Sequence, residues 1–236
     1  KRRRRARSTR RHFDHRGSMS ATTSLDIREI GFGDAAVEYQ AGWDLQREIH
    51  AQVVVGTLPD TVLLLEHQSV YTAGRRTEDF ERPLDGTPVV DVDRGGKITW
   101  HGPGQLVGYP ITRLVEPMDV VAYVRTIEGL LIDVATHFGV TGERVDGRSG
   151  VWVQRGLSHD KVAAIGIRIS EGVSMHGFAL NCNNSLAAYN NIIACGIRDA
   201  GATTLSQVAG REITTADALP IVTGLFQNYF EGAHVS

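Results

Sequence analysis

Residues 94–111 read RGGKITWHGPGQLVGYPI, and this stretch is dense in glycine among β-forming residues. Glycine loses more backbone entropy on folding than other residues and offers no side chain to pack. Its density inside a strand-like run therefore indicates that backbone must approach something closely. The run contains neither GxxxxGK[ST] nor a GxGxxG that opens a helix, so we do not expect a nucleotide-phosphate loop here.

The composition is that of a globular protein: 236 residues, 42% hydrophobic and 22% charged. This length suits one domain, or at most two small ones, with a large core. No apolar run approaches the roughly 20 residues of a membrane span, so we expect no membrane association. The only cysteines are Cys182 and Cys195, which is neither a disulfide framework nor a zinc set. We therefore expect no metal and a reducing, cytoplasmic environment.

Charge is unevenly distributed. Residues 1–18 hold nine of the 25 Lys and Arg residues and one of the 27 acidic residues, so the rest of the chain has a net formal charge of -10. The basic segment lacks apolar periodicity and a signal-peptide core, so we predict a disordered or non-native tail followed by a single domain over 19–236. Nucleic-acid binding through this tail is the alternative interpretation; because the rest of the chain is acidic, such binding should vanish when residues 1–18 are removed.

The predicted elements mix helices and strands without regular βαβ alternation. Apolar patterning predicts strands over 25–29, 62–65, 89–92, 150–154, 161–170 and 174–183, and a loop over 75–88. Helices are expected after Asp34, from Pro117 or Asp119 to Gly139, and from Thr214 or Thr215 onward. The predicted fold class is α/β (α+β), a mixed β-sheet flanked by helices.

The two cysteines lie in different contexts. Cys182 ends an apolar strand and alternates with Phe178 and Leu180, which is typical of a buried core thiol. Cys195 follows a polar loop and precedes Gly196, which leaves its thiol uncrowded. From these residues alone, Cys195 could be structural or catalytic.

One lysine and two histidines are candidates for acid–base chemistry. Lys161 lies on the apolar face of its strand, so either it reaches solvent from the strand end or it is desolvated and becomes a usable base. His101 and His176 each precede glycine and could pair with a thiolate or be structural. Arginines such as Arg75, Arg76 and Arg148 could meet an acidic partner.

Taken together, these motifs resemble the octanoyltransferases of lipoate biosynthesis, the LipB family. The resemblance runs from about Leu25 to Leu205 and rests on the order RGG…HGPGQLVGYP, K…AIGI, HGFALN and CGI. It implies the fold of the catalytic domains of biotin and lipoate protein ligases, and a Cys/Lys dyad that needs no ATP, metal or other cofactor. One departure is Ala194, where the family usually has proline before the nucleophile.

Carried onto matching positions, the resemblance implies Cys195 as nucleophile and Lys161 as the residue that lowers its pKa. The implied substrate-binding residues are Arg94, Gly95, Gly96, Lys97, Ile98, Thr99, Trp100, His101, Ala164, Ile165, Gly166, Gly177, Phe178 and Ala179, with His176 and Arg75 as possible additions. The implied donor is octanoyl-acyl carrier protein. The implied acceptors are apo lipoyl domains of 2-oxoacid dehydrogenase E2 subunits and the glycine-cleavage H protein, with no nucleic acid and no membrane involved.

Two other functions remain open. An ATP-dependent lipoate-protein ligase of the same fold would need ATP but no nucleophilic thiol. A non-catalytic binder of lipoyl domains or carrier proteins would show no turnover, and the presence of Cys195 and Lys161 disfavours it.

Overall fold

The computed structural model describes residues 25–84, 86–192 and 201–231. The predicted tail and the segment with Ala194 and Cys195 lie outside the described residues. Strands are β1 (Asp26–Gly31), β2 (Thr61–Leu65), β3 (Val70–Ala73), β4 (Val89–Asp91), β5 (Thr99–His101), β6 (Gln105–Ile111), β7 (Glu143–Val145), β8 (Arg148–Arg155), β9 (Ser158–Ser170) and β10 (Val173–Asn181). Helices are α1 (Tyr39–Val54), α2 (Val120–His137), α3 (Leu205–Ala209) and α4 (Thr215–Glu231).

The strands form two sheets. The larger has seven strands in the order β1-β2-β6-β10-β9-β8-β7, and the smaller has three in the order β4-β3-β5. Each contains one parallel pair, β1 with β2 and β3 with β4, among antiparallel neighbours. The predicted mixed sheet flanked by helices is therefore confirmed. The quoted segment supplies β5 of the small sheet and β6 of the large one.

Two apolar clusters cover the faces of the large sheet. Strand β2 alternates between them, with Val62 and Leu64 in one and Leu63 and Leu65 in the other. Helices α2 and α4 pack on the first face, where Ile127 and Phe226 are fully buried. Helix α1 packs on the second face through Ile49 and Val53. The core is thus a helix–sheet–helix sandwich with the small sheet at one side.

The predicted start of α1 is wrong. Asp34 lies in a separate 3-10 turn over Gly33–Ala35, and the side chain of Glu38 caps the helix by accepting bonds from the N–H groups of Gln40 and Ala41. The physical reason is that Val37 is still extended, because it forms a β-bridge with His67. By contrast, α2 begins after Asp119, whose side chain accepts the N–H of Ala122, and ends before Gly139 with φ 78°, as predicted.

Candidate active site

A cavity of about 310 Å³ opens between β9, β10 and the loop that joins β4 to β5. Twelve of the fourteen residues expected to bind substrate line it: Arg94, Gly96, Lys97, Ile98, Thr99, His101, Ala164, Ile165, Gly166, Gly177, Phe178 and Ala179. Lys161, His176, Arg76 and Arg148 line it too. The structure therefore brings three separate segments of the sequence to one cavity.

Two of the expected residues do not line the cavity. Gly95 donates its N–H to the carbonyl of Ile167 at 2.9 Å, so it joins the loop to β9. Trp100 is buried in a cluster with Tyr71, Ile98 and Ile192, and its indole N–H donates to Ser69 Oγ at 3.0 Å. Both residues therefore support the cavity wall without lining it.

Arg94 is buried, and its guanidinium joins the glycine-rich loop to β3 through four hydrogen bonds, which we call the Arg94 clasp. Its Nη1 donates to the carbonyls of Gly95 and Lys97 at 3.0 and 2.9 Å, and its Nη2 donates to the carbonyl and hydroxyl of Thr72, both at 2.9 Å. The planar guanidinium suits this fork of acceptors, which a lysine could not match. The clasp fixes the loop against β3, so the cavity wall is formed before any ligand binds.

Glycines permit the close approaches that the sequence indicated. A Cβ on Gly177 would lie 2.1 Å from the carbonyl oxygen of Gly108, and a Cβ on Gly108 would lie 2.2 Å from the ring of Phe178. The ring of Phe178 thus occupies the space above Gly108 and also stacks on Phe226. Its aromatic face forms part of the cavity wall.

His101 takes part in a hydrogen-bond chain whose donor and acceptor roles are mutually consistent. The hydroxyl of Thr72 accepts from Arg94 and donates to His101 Nε2 at 3.3 Å, while His101 Nδ1–H donates to Gln105 Oε1 at 2.8 Å. Gln105 then donates to Asn181 at 2.9 Å. Burial lowers the pKa of His101 to about 3, so the ring is neutral and both nitrogens are engaged. His101 is therefore poorly placed to act as the base.

His176 is buried in the same wall, with a left-handed backbone (φ 57°). Its Nε2–H donates to Asp93 at 2.8 Å, and Asp93 also forms an ion pair with Arg168. Burial first, and then the charge of Arg94, lower the pKa of His176 to about 3. Within the described ranges, its Nδ1 has no hydrogen-bond partner. The ring is thus a neutral acceptor and a weak base.

Lys161 lies on β9 opposite Trp152 of β8. Its Nζ is 4.4 Å from the centroid of the indole ring, and the side chain is half-buried in the cavity wall. An indole face stabilises an ammonium group. A Cβ on Gly150 would lie 3.4 Å from Lys161 Cε and 2.4 Å from the carbonyl oxygen of Ala163. The missing side chain at Gly150 therefore leaves room for the lysine stem.

The cysteine positions differ in what the structure describes. Cys182 is fully buried in the core, and burial raises the pKa of its thiol to about 12. The prediction of a core thiol is confirmed for this residue. Cys195 lies outside the described residues, but the chain on both sides of it is fixed. Ile192 packs in the cluster that contains Ile98, and Gly201 bonds to the backbone of Lys161.

The arginines and Lys97 lie around the glycine-rich wall. Arg76 and Arg148 line the cavity, whereas Arg75 is exposed and does not. Arg148 lies 5.6 Å from the centroid of the Trp152 ring. Lys97 pairs at 2.5 Å with Glu81, a fully buried carboxylate, which indicates a structural role for this lysine.

Several site residues were not identified from the sequence. Tyr39 and Tyr109 line the cavity, and His67 lies beneath them, donating from Nδ1 to the carbonyl of Val37 at 2.9 Å and accepting the hydroxyl of Tyr109 at 2.6 Å. Asp93, next to the predicted Arg94, holds His176. These contacts join positions dozens of residues apart, and no local pattern marks them.

No three His, Cys, Asp or Glu side chains within the described ranges are arranged to hold a metal ion. Across the same ranges, no helix is both long and apolar enough to cross a membrane.

Comparisons with known proteins agree with this architecture. Residues 38–227 match the lipoyl protein ligase A/B catalytic domain. The octanoyltransferase of Leifsonia xyli is 60% identical over 208 residues, covering 87% of this chain and 93% of the relative. That of Salinispora arenicola is 59% identical over 204 residues, covering 85% and 94%.

Solved structures of low sequence identity share the fold. The LipL1 structure of P. falciparum in complex with lipoate has a TM-score of 0.63 at 12% identity, covering 90% of this chain and 64% of that one. The bipartite lipoate protein ligase of Thermoplasma acidophilum has a TM-score of 0.61 at 11% identity, covering 88% and 83%. The chain therefore belongs to the octanoyltransferases of the lipoyl protein ligase A/B catalytic-domain family.

Proposed function

We propose that the protein transfers an octanoyl group from octanoyl-acyl carrier protein to the target lysine of an apo lipoyl domain, through a thioester on Cys195. The observation that carries the proposal is the cavity itself, whose wall combines apolar groups with Lys161. Its volume of about 310 Å³ is at the lower end of the roughly 300–1,000 Å³ of small-ligand pockets. That size suits a short acyl chain.

The wall is chemically suited to an alkyl chain next to a reactive carbonyl. Ile98, Ile165 and Phe178 provide apolar surface, and Gly96, Gly166 and Gly177 contribute backbone without side chains to the same wall. Each buried methylene contributes about 0.8 kcal/mol. Backbone N–H groups are candidates for stabilising the oxyanion of an acyl-transfer intermediate. The same wall could therefore bind the chain and assist the reaction.

Chain length limits where Cys195 can reach. It follows Ile192 by three residues, and three residues span at most about 11 Å. Ile192 packs in the cluster of Ile98, which lines the cavity. On the other side, Gly201 bonds to the backbone of Lys161. Both anchors support a thiol that can reach the cavity.

In the first step, the Cys195 thiolate attacks the carbonyl carbon of the octanoyl thioester. A new carbon–sulfur bond forms, the bond to the carrier sulfur breaks, and the departing thiolate takes a proton from the Lys161 ammonium. A free thiol of pKa about 8.5 is mostly protonated at neutral pH, and a nearby ammonium favours its thiolate. Lys161 thus provides the activating charge.

In the second step, the amine of the acceptor lysine attacks the acyl-enzyme. The nitrogen–carbon bond forms, neutral Lys161 accepts the amine proton, and the Cys195 thiolate leaves. The result is an octanoyl amide and the regenerated enzyme, a ping-pong route. His101 and His176 have a structural role in this scheme. Burial lowers the pKa of both rings to about 3, which makes them weak bases.

The donor is expected to dock at the cavity mouth. Arg76 and Arg148 line the cavity, at the loop after β3 and at the start of β8, and the exposed Arg75 precedes Arg76 in the same loop. Carrier proteins tend to be acidic, and guanidinium groups bind carboxylates and phosphates well. Charge reversal at Arg76 should therefore raise KM for octanoyl-carrier protein and leave kcat largely unchanged.

The test is transfer from octanoyl-carrier protein to a purified apo lipoyl domain, without ATP, followed by mass spectrometry of the domain. Octanoylation of the target lysine is expected, with loss in Cys195→Ala and retention in Cys182→Ala. Octanoylation only when free octanoate and ATP are supplied would instead identify a ligase. Absence of product under both conditions would identify a binder.

A further inference from the structure

Residues 201–203 extend the large sheet beside Lys161. The pairing of β10 with β9 ends at Leu180 and Ala163, so β10 no longer flanks β9 at Lys161. In its place, the Lys161 N–H donates to the carbonyl of Gly201 at 2.9 Å, and the Thr203 N–H donates to the carbonyl of Lys161 at 3.0 Å. The chain that follows the Cys195 segment is therefore in register with the backbone of Lys161.

Asp160 holds this short bridge in place. It is 6% exposed, and its Oδ1 accepts the N–H of Gly201 at 3.1 Å while its Oδ2 accepts Arg155 Nη1 at 2.9 Å. A Cβ on Gly201 would lie 2.5 Å from Asp160 Oδ1. The carboxylate can thus reach the backbone only because residue 201 is glycine.

The carboxylate of Asp160 has two hydrogen-bond partners, Gly201 and Arg155. Arg155 is largely exposed, so its ion pair with Asp160 contributes little stability. Successive side chains of a strand point to opposite faces, so Asp160 and Lys161 do not share a face of β9. Asp160 must therefore influence Lys161 through the backbone bridge and not by direct contact.

Resting on the proposed function, we infer that Asp160 is a positioning residue for the acyl transfer. By fixing Gly201 it anchors the chain beside Lys161 at a point six residues after Cys195. Its loss leaves both reacting groups present but loosens this anchor. As a result, Lys161 no longer favours the thiolate form of Cys195.

The experiment is the pH profile of Cys195 alkylation by iodoacetamide, read by peptide mass spectrometry, together with the rate of acyl-enzyme formation. In Asp160→Ala, the apparent pKa of Cys195 is expected to rise toward the ordinary value of about 8.5. Acyl-enzyme formation should slow by roughly tenfold or more, the change that one pKa unit represents. Asp160→Asn keeps an oxygen for the Gly201 N–H and should stay within about threefold of the parent, which isolates the hydrogen bond from the charge.

Two further variants complete the design. Arg155→Ala removes only an exposed ion pair and should leave the profile unchanged. In Gly201→Ala, the new Cβ displaces the Asp160 carboxylate, so the pH profile of Cys195 alkylation should match that of Asp160→Ala. This second variant tests the inference if Asp160→Ala does not fold. A folded Asp160→Ala with the parent profile overturns the inference, as does an Asp160→Asn as impaired as Asp160→Ala. A parent enzyme whose Cys195 profile is unaffected by Lys161→Ala overturns the proposed dyad itself, a separate result.

Discussion

Arg94 allows the sharpest stability prediction. Arg94 is 7% exposed, and its guanidinium donates to two loop carbonyls and to both oxygens of Thr72. Arg94→Met keeps much of the apolar stem but removes every donor. Acceptors left without a partner in a buried site cost about 1–3 kcal/mol each, and some will find other donors. We expect a total destabilisation of about 3 kcal/mol.

For a domain of this size, a loss of 1 kcal/mol lowers Tm by about 2–4 °C, so Arg94→Met should melt roughly 6–12 °C below the parent. Because typical stabilities are about 5–15 kcal/mol, the variant should remain folded at 25 °C, with a loosened 94–98 wall and a lower kcat/KM. The assay is thermal unfolding followed by circular dichroism. Arg75→Met, at an exposed neighbouring arginine, is the matched control and should stay within about 0.5 kcal/mol. Equal Tm values for Arg94→Met and Arg75→Met would refute the claim that the hydrogen bonds of Arg94 stabilise the fold.

Three other perturbations test the site. Because burial lowers the pKa of His101 from an ordinary 6.5 to about 3, its stabilising contribution is complete above pH 6.5 and is lost as pH falls toward 3. In urea unfolding, this residue should therefore lower the free energy of unfolding by about 2 kcal/mol between pH 6.5 and 5. In His101→Gln, the decrease over the same pH range should be smaller by about 2 kcal/mol. Gly150→Ala should slow acylation of Cys195, since φ is 107° and the new Cβ would strike Ala163 O and crowd Lys161; an unchanged single-turnover rate contradicts this. Hexanoyl donors should react about 15-fold more slowly than octanoyl donors, from two methylenes at about 0.8 kcal/mol each; equal kcat/KM values would show that the chain is not buried.

Local chemistry explains why part of the architecture was predictable. Helix α2 has a side-chain cap at Asp119 and a glycine just after its end, and both signals act over a few residues. The alternation in β9 and β10 likewise placed Lys161 and Phe178 on strands that line the cavity. The density of glycine in residues 94–111 correctly indicated close backbone approach.

Long-range contacts explain the rest. Val37 delays the start of α1 because it pairs with His67, thirty residues later. Asp93, Asp160 and Gly201 have no local signature, since their roles depend on partners brought together by the sheet. Arg94 was expected to contact substrate, and it does line the cavity, but its guanidinium is already engaged by backbone carbonyls.

The central claim is an acyl-enzyme on Cys195 that depends on Lys161. Its most direct test is peptide mass spectrometry after brief mixing with octanoyl-carrier protein in the absence of an acceptor. The predicted result is an octanoyl thioester on Cys195, absent from Cys195→Ala and strongly reduced in Lys161→Ala. Cys182 should carry none, because it is buried and its thiol pKa is raised to about 12. An adduct on Cys182, or an adduct on Cys195 that forms equally fast in Lys161→Ala, would contradict the mechanism.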